Sequence, residues 1–481
     1  MRLAHRLVMV AAACGLAVTA AAAGSAAGTV AGPPARTAAV QGSLADVIIH
    51  PDAITVGKAQ AGGPASTTQC ESDFHVACYT PLQIRQAYDL PGLYAEGITG
   101  KGTTIVIVDS FGSPTIRHDL SVFDSTFGLP APPSFQIIAP AGKLPAWSSE
   151  GDMPGWAGET TLDVEYAHAI APGASILLVE TPVDETEGVQ GFPQIVAAEE
   201  YVLKHYHVDV ISQSFSATEQ TFPSKQSVMA LRGANYAAQK DHVTVLAASG
   251  DSGAVDVELN GSTYYLFRVT SWSDSDPLVT AVGGTQLHLD AQGNPTTPAT
   301  VWNDTYNQNA STFTTGSTAD SPSASGGGKS IFFTRPSYQN GVASVVGDAR
   351  GVPDISMSGA CDGSVDVYSS YPGTMPGWTQ ECGTSEATPE FAGIVALAAQ
   401  VAGHSLGLIN PALYTMSADR AAYPGLVPVT SGNNTVTFKQ NGTWYTVKGF
   451  NASPSGGYSL ATGVGTVDAL YFVPELAKLA G

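Results

Sequence analysis

Stretches of β-branched and aliphatic residues alternate with helix-forming stretches along the middle of the chain. Strands are predicted over residues 103–108, 174–179, 208–211, 243–247 and 279–285. Helices are predicted over residues 159–168, 192–205 and 225–240, with another opening at residues 80–83. Continuous apolar strands separated by helices are typical of right-handed βαβ crossovers and a parallel sheet covered on both faces. The pattern therefore predicts an α/β fold, a parallel sheet flanked by helices.

One predicted apolar helix follows directly after a glycine turn. Residues 381–389 read ECGTSEATP, and the apolar positions over 391–401 have helical spacing. Ser385 would then lie near the first turn, where unpaired backbone N–H groups and the helix dipole stabilise an oxyanion. This position would suit Ser385 as a nucleophile. The alternative role is a helix N-cap, which serine also favours.

Four carboxylates stand at positions suited to chemistry. Glu159 and Asp163 are four residues apart in a predicted helix, so they share a face and one should hold its proton more tightly. A carboxyl of that kind can act as a general base or acid at low pH, and the alternative is a solvated acidic face. Asp109 and Asp251 each follow a predicted strand, at the edge where open α/β sheets bind ligands.

Composition narrows the possible classes of protein. The 481 residues are 43% hydrophobic and 13% charged, so the chain can bury a sizeable core. Its formal net charge is −21, with 41 acidic residues against 20 basic. This charge argues against nucleic acid or an anionic membrane surface as a partner.

The N-terminal residues resemble an export signal. Basic positions precede the apolar run at residues 7–22, and small residues follow, so we predict a signal peptide over residues 1–27. Residues 28–78 are predicted to be a short leader or linker, and residues 79–481 one large domain. No later segment is long and apolar enough to span a bilayer, and we expect a secreted monomer that does not associate with membranes.

Loss of the signal would leave four cysteines, an even number in an oxidising compartment. Cys70 lies near Cys78 in the sequence, and Cys361 lies near Cys382. We therefore predict these two pairs as disulfides.

The motifs occur in an order that resembles the sedolisin family of serine-carboxyl peptidases, which share the subtilisin fold. The resemblance extends over most of residues 80–466. Its main motifs are Glu159 with Asp163, AHAIAPG at 167–173, SGDSG at 249–253, VTAVGGT at 279–285, SGGG at 325–328, VPD at 352–354 and GTS at 383–385.

The resemblance implies a role for each candidate residue. Ser385 is implied to be the nucleophile, Glu159 the general base and Asp163 the residue that orients Glu159. Asp251 matches the family's oxyanion-hole aspartate, which must be protonated to donate a hydrogen bond, and this implies an acid pH optimum. Asp109 stands where the family often has a glutamate joined to the carboxylate network, which implies a supporting role.

The resemblance also implies where substrate binds. Residues 212–215 (Ser212, Gln213, Ser214 and Phe215) correspond to the edge of the substrate cleft, where an extended peptide adds by β-pairing. The expected substrates are proteins or peptides.

The sequence departs from the family at its calcium site and its leader. Pro428 and Ser459 stand where two calcium-binding aspartates are usual, and calcium favours carboxylate oxygens. We therefore expect no calcium there and no other cofactor. A β-hairpin is predicted over residues 435–447, around Asn441-Gly442. Residues 28–78 are too few for the family's large folded propeptide.

Taken together, these observations predict a secreted endopeptidase that acts in acid. One alternative is a subtilisin-type triad of Asp109, a histidine and Ser385. His168 is nine residues after Glu159 and so faces away from it, while His118 has no supporting motif. The second alternative is an inactive relative that serves as a secreted binding or cell-surface protein.

Overall fold

The computed structural model describes residues 54–60, 62–305 and 321–480. The predicted signal peptide and residues 28–53 of the predicted leader lie outside these ranges. The strands are β1 (Ile54–Gln60), β2 (Cys78–Tyr79), β3 (Thr104–Ser110), β4 (Phe135–Ile138), β5 (Ser175–Thr181), β6 (Val210–Gln213), β7 (Ala217–Thr218), β8 (Thr244–Ala248), β9 (Ser271–Trp272), β10 (Thr280–Gln286), β11 (Thr300–Val301), β12 (Gly328–Thr334), β13 (Ala349–Val352), β14 (Ile355–Ser358), β15 (Ser364–Ser369), β16 (Gly377–Cys382), β17 (Leu426–Val427), β18 (Val436–Gln440), β19 (Thr443–Val447) and β20 (Thr466–Val467).

The helices are α1 (Thr67–Phe74), α2 (Pro81–Ala87), α3 (Leu90–Ala95), α4 (Ile116–Phe127), α5 (Met153–Ile170), α6 (Phe192–His205), α7 (Lys225–Ala230), α8 (Gly233–Lys240), α9 (Ala343–Val346), α10 (Thr384–Ala402), α11 (Asn410–Ala418) and α12 (Ala469–Leu479). Short 3-10 helices cover Glu219–Thr221 and Ser337–Val342. All described residues belong to one compact unit, Asp46–Gly481.

An eight-stranded sheet forms the centre of this unit. Its order is β11-β10-β8-β6-β3-β5-β4, with β14 also paired to β10. Every pairing is parallel except that of β11 with β10. The five predicted strands are β3, β5, β6, β8 and β10. The predicted fold class, a parallel sheet flanked by helices in one domain, is confirmed.

Alternate residues of β3 enter two different hydrophobic cores. Ile105 and Ile107 pack in the core that contains α5 and α10, whereas Val106 and Val108 pack in the core that contains α6 and α8. Successive strand residues point to opposite faces, so a continuous apolar run indicates a strand covered on both sides. Helices α5 and α10 lie together on one face and carry three of the predicted catalytic residues, Glu159, Asp163 and Ser385.

The single helix predicted over residues 225–240 is wrong, because the structure has α7 and α8 with a break between them. Arg232 lies at the break, and its guanidinium binds both carboxylate oxygens of Asp276, at 2.6 and 2.8 Å. Gly233 begins α8 where a Cβ atom would be 2.0 Å from a carboxylate oxygen of Glu200. Arg232 pairs with a residue distant in the sequence, and Gly233 lies close to α6. These two contacts break the helix where the sequence pattern looks continuous.

Strand β1 extends a second sheet, of order β1-β16-β15-β2. It pairs antiparallel with β16, with Ile54 opposite Cys382, and the Thr55 hydroxyl lies 2.9 Å from a carboxylate oxygen of Glu381. Residues within the predicted leader therefore form regular structure on the strand that runs into Ser385.

Both predicted disulfides are present, between Cys70 and Cys78 and between Cys361 and Cys382. The predicted hairpin is also present as β18 and β19. Asn441 and Gly442 have φ values of 52° and 78°, as a two-residue turn of type I′ requires.

Candidate active site

A glycine turn positions Ser385. Gly383 has a φ of 124°, a conformation that L side chains rarely adopt, and its N–H donates to the Gly359 carbonyl at 2.9 Å. Helix α10 begins at the next residue, so Ser385 is the second residue of the helix. Ser385 is fully buried, and its hydroxyl has no hydrogen-bond partner among the described residues.

Asp251 lies against Thr384, the residue before Ser385. It follows β8, and one of its carboxylate oxygens, Oδ1, accepts hydrogen bonds from the Thr384 N–H and the Thr384 hydroxyl, both at 2.7 Å. The Thr384 hydroxyl also accepts the Gly250 N–H at 3.1 Å. These contacts join the end of β8 to the start of α10. The sequence analysis did not single out Thr384, although it belongs to the same GTS motif as Ser385.

Burial keeps Asp251 protonated in acid. It raises the pKa of Asp251 to about 7, the Thr384 hydrogen bonds lower the pKa, and nearby Asp256 raises it by a smaller amount. The second oxygen, Oδ2, has no hydrogen-bond partner in the described structure. A proton on Oδ2 would therefore be available for donation to a bound group.

Helix α5 brings the other predicted carboxyls together. Glu159 and Asp163 are both fully buried, and the Ser214 hydroxyl donates to Asp163 at 2.9 Å. Burial raises the pKa of Asp163 well above its usual value, and the charges of Asp109 and Glu159 raise it further. A shared network of carboxyls is thus present, but no hydrogen bond joins the Ser385 hydroxyl to Glu159 in this structure.

Close packing of α5 and α10 explains this burial. Gly393 of α10 faces Ile170 of α5 so closely that a Cβ atom at position 393 would lie 2.5 Å from the Ile170 Cβ. A glycine at that point lets the two helices approach, and the carboxyls on both are removed from water.

Asp109 ends β3 beside the α5 network. Burial raises the pKa of Asp109 to about 7, the nearby Thr160 hydroxyl lowers it, and the charge of Glu180 raises it. Glu180 is opposite Asp109 on β5. A supporting role for Asp109 stays a prediction.

Residues 212–215 are almost entirely buried. The Gln213 side chain donates to Glu199 and accepts from the Ser273 hydroxyl. Phe215 packs among apolar side chains in the core that contains α6 and α8. Ser212 lies within β6, and Ser214 contacts Asp163. A peptide that binds along this edge would therefore meet the backbone rather than these side chains.

Two buried acids of α10 were missed by the sequence analysis. Glu386 and Glu390 are fully buried. Burial raises the pKa of each well above its usual value, the charge of Asp251 adds to the effect at Glu386, and the charge of Glu386 adds to it at Glu390. The nearby Ser358 hydroxyl lowers the pKa of Glu386, by less than burial raises it. Their spacing of four residues was visible in the sequence, but acids at that spacing usually face solvent.

The two histidines considered for the alternative triad, His168 and His118, contact residues other than Ser385. A ring nitrogen of His168 lies 2.7 Å from the Pro130 carbonyl and 3.2 Å from a carboxylate oxygen of Asp124. His118 is exposed, and its ring is 6.3 Å from that of Tyr368. Neither contact involves Ser385.

The residues at the expected calcium positions supply no carboxylate. Pro428 has no side-chain donor, and the Ser459 hydroxyl pairs with that of Thr462 at 3.0 Å. In the described ranges no three His, Cys, Asp or Glu side chains are arranged to hold a metal. A membrane-spanning helix is likewise missing from those ranges, since no helix there has the required length and apolarity.

Comparison with known proteins identifies the family. The sequence profile of the Subtilase family matches residues 153–412, just over half of the 481 residues. The chain therefore belongs to the subtilase family. Within it, the chain is a member of the sedolisin group, as the motifs predicted and as the following relatives indicate.

Kumamolisin of Bacillus sp. (strain MN-32) is 31% identical over 366 residues, which cover 74% of this chain and 58% of kumamolisin. Sedolisin of Pseudomonas sp. (strain 101) is 28% identical over 396 residues, 81% of this chain and 60% of that protein. Tripeptidyl-peptidase 1 of Homo sapiens is 27% identical over 294 residues, 57% of this chain and 44% of that protein. The chain thus spans between 44% and 60% of the lengths of these relatives.

The solved structure of Pseudomonas sedolisin, a serine-carboxyl proteinase complexed with two molecules of pseudo-iodotyrostatin, has a similar fold. The TM-score is 0.67 at 26% identity, and the match covers 84% of this chain and 100% of that one.

The burial of Glu386 and Glu390 predicts how stability depends on pH. The folded state keeps their protons, whereas the unfolded state releases them above about pH 4.3. Stability should therefore fall as pH rises above about 4.3, by about 1.4 kcal/mol per pH unit for each carboxyl, until the folded-state pKa is reached. A Glu386→Gln, Glu390→Gln double variant should lose less stability than the parent between about pH 4 and about pH 7.

Thermal or denaturant unfolding at both pH values measures this difference. Glu96→Gln, at an exposed position, is the control and should behave like the parent. An equal loss of stability in the parent and the double variant would contradict the prediction.

Proposed function

We propose that the protein is a secreted serine-carboxyl endopeptidase that cleaves proteins or peptides in acid. The observation that carries the proposal is the contact between Asp251 and Thr384, which holds a carboxyl group with a raised pKa beside the residue that precedes Ser385. A neutral carboxyl at that point can donate a hydrogen bond to an oxyanion, and an ionised one cannot. Membership of the sedolisin group supports the same chemistry.

In the proposed mechanism, the Ser385 hydroxyl attacks the scissile carbonyl and Glu159 accepts its proton. Asp163 orients Glu159 and is itself held by Ser214. The negative oxygen of the tetrahedral intermediate is received by the Asp251 carboxyl and the Ser385 backbone N–H. Glu159 then returns the proton to the leaving amine. This structure has no hydrogen bond between the Ser385 hydroxyl and Glu159. In the proposed mechanism, that hydrogen bond forms when substrate binds.

The remaining parts of the proposal rest on composition and sequence. The net charge of −21 supports protein or peptide substrates rather than nucleic acid. We propose secretion through a signal peptide at residues 1–27 and a monomeric enzyme. We further propose that residues 28–78 serve as a short leader and that catalysis needs no cofactor.

A second candidate is an inactive relative that serves as a secreted binding protein. The full burial of Ser385 favours this candidate, because an exposed nucleophile is easier to reconcile with access by a peptide.

Substitution of the proposed catalytic pair separates the two candidates. The parent should cleave casein at about pH 4, and Ser385→Ala and Glu159→Gln should each lower the rate by a thousandfold or more, about the size seen when one member of a catalytic unit is removed. Glu150→Gln, at an exposed position, should retain the parental rate.

If Glu159→Gln were as active as the parent while Ser385→Ala was inactive, the base would lie elsewhere. A folded parent that cleaves nothing between about pH 3 and about pH 8 would favour the binding protein.

The contact of Thr384 with Asp251 predicts a shift in the pH profile. Cleavage should fall as pH rises through about 7, because Asp251 then loses its proton. Thr384→Val removes a hydrogen bond that lowers the pKa of Asp251, so the fall should move to higher pH. The rate in acid should also drop about tenfold or more, because the carboxyl is held less firmly.

The control is Thr388→Val, one turn further along α10, where the lost hydroxyl bonds the Thr384 carbonyl at 2.7 Å. Its profile should match that of the parent. A profile of Thr384→Val that keeps the parental midpoint would argue against Asp251 as the titrating group.

A further inference from the structure

A cavity of about 150 Å³ lies beside the carboxyl network and has no part in the mechanism described above. Four half-buried apolar side chains form its walls: Phe111, Leu144, Trp147 and Met153. Two polar residues, Ser113 and Glu180, line it as well. We call this cavity the Phe111 pocket. Its volume suits one amino-acid side chain and is smaller than the few hundred Å³ of a typical small-molecule site.

The backbone at Phe111 is in an unusual conformation. Its φ is 60°, which is uncommon for a bulky residue other than glycine. The Phe111 N–H donates to the Thr181 carbonyl at 2.9 Å, so the loop after β3 is tied to the end of β5. Conformations of this kind cluster at binding and active sites, where the surrounding structure supports their cost. Here the conformation places the Phe111 ring in the wall of the pocket.

Two contacts join the pocket to the proposed general base. The Trp147 ring packs against that of Tyr371, with centroids 6.0 Å apart. The Tyr371 hydroxyl in turn lies near Gly158, the residue before Glu159, where a Cβ atom would be 3.7 Å from it. On the opposite side, Glu180 is the cross-strand neighbour of Asp109.

For a bound peptide that runs alongside α5, the distance along this helix sets which substrate residue would reach the pocket. Met153 is the first residue of α5 and precedes Glu159 by six positions, about 9 Å along the axis at 1.5 Å per residue. An extended peptide covers that distance in two to three residues, at about 3.3 Å each.

We propose that the Phe111 pocket is a specificity subsite for an apolar substrate side chain two or three residues from the scissile bond. This inference rests on the proposed function. Aromatic and aliphatic walls bind such a side chain by removing its surface from water. At the acid pH of the proposed reaction, Glu180 in the lining is protonated, because burial raises its pKa to about 7. A lysine in the same place would therefore leave its ammonium group without an anionic partner in the pocket, at a cost in binding.

The experiment uses quenched peptides in which one position at a time, from three residues before the scissile bond to three after it, is Leu, Ala or Lys. Values of kcat/KM are measured at about pH 4, and mass spectrometry identifies the bond cleaved. At one position, two or three residues from that bond, the parent should prefer Leu over Ala by about tenfold or more.

The variant Leu144→Trp fills the pocket and should lower kcat/KM for the Leu peptide to that for the Ala peptide. Its matched control is Leu82→Trp, at an exposed leucine of α2, which should keep the parental preference. Met153→Ala enlarges the pocket and should move the preference from Leu towards Phe. This third variant tests the proposal even if Leu144→Trp does not fold.

A preference that stays the same in folded Leu144→Trp or in Met153→Ala would overturn the proposal, as would a parent that cleaves without preference at those positions. Either result leaves the proposed function standing, since cleavage itself would be seen. A parent that cleaves no peptide would overturn the proposed function and the subsite together.

Discussion

Removal of carboxyl groups from water, where α5 packs on α10, is the constraint on which the site depends. The close approach at Gly393 buries acids from both helices. The groups that act on Asp163, Asp251, Glu386 and Glu390 are hydroxyls, a backbone N–H and other carboxyls. Hydroxyls stabilise a carboxylate only partly, and neighbouring carboxyls oppose its ionisation. The arrangement therefore favours the protonated forms.

This constraint links the fold to the proposed chemistry. A protonated carboxyl at Asp251 is a hydrogen-bond donor, and the Thr384 contacts fix its position relative to Ser385. Glu386 and Glu390 also favour the protonated form, but for a different reason. A buried carboxylate without a cation nearby is costly. The proposed catalysis and the folded state would thus both be favoured in acid, although different residues impose this condition.

Much of this could be predicted from the sequence, because the relevant signals are local. The β-branched run at residues 103–108 predicted a strand covered on both faces, and the glycine turn before Ser385 predicted the start of α10. Both disulfides join cysteines close in sequence. The rest depends on distant contacts. The break at Arg232 depends on Asp276, and β1 pairs with a strand more than 300 residues away, as the 326-residue separation of Thr55 and Glu381 shows. Neither partner can be found from local pattern.

The bridge between Cys70 and Cys78 has a consequence for the covalent connectivity of the chain. Strand β1 lies upstream of it and the central sheet lies downstream, while α1 occupies most of the loop that it closes. A peptide-bond cut within that loop would divide the backbone into two pieces and still leave one molecule. The upstream piece would remain attached through the disulfide. Strand β1 could then stay paired with β16 although no unbroken backbone joined the two strands. Only reduction of the bridge would then release it as a separate chain.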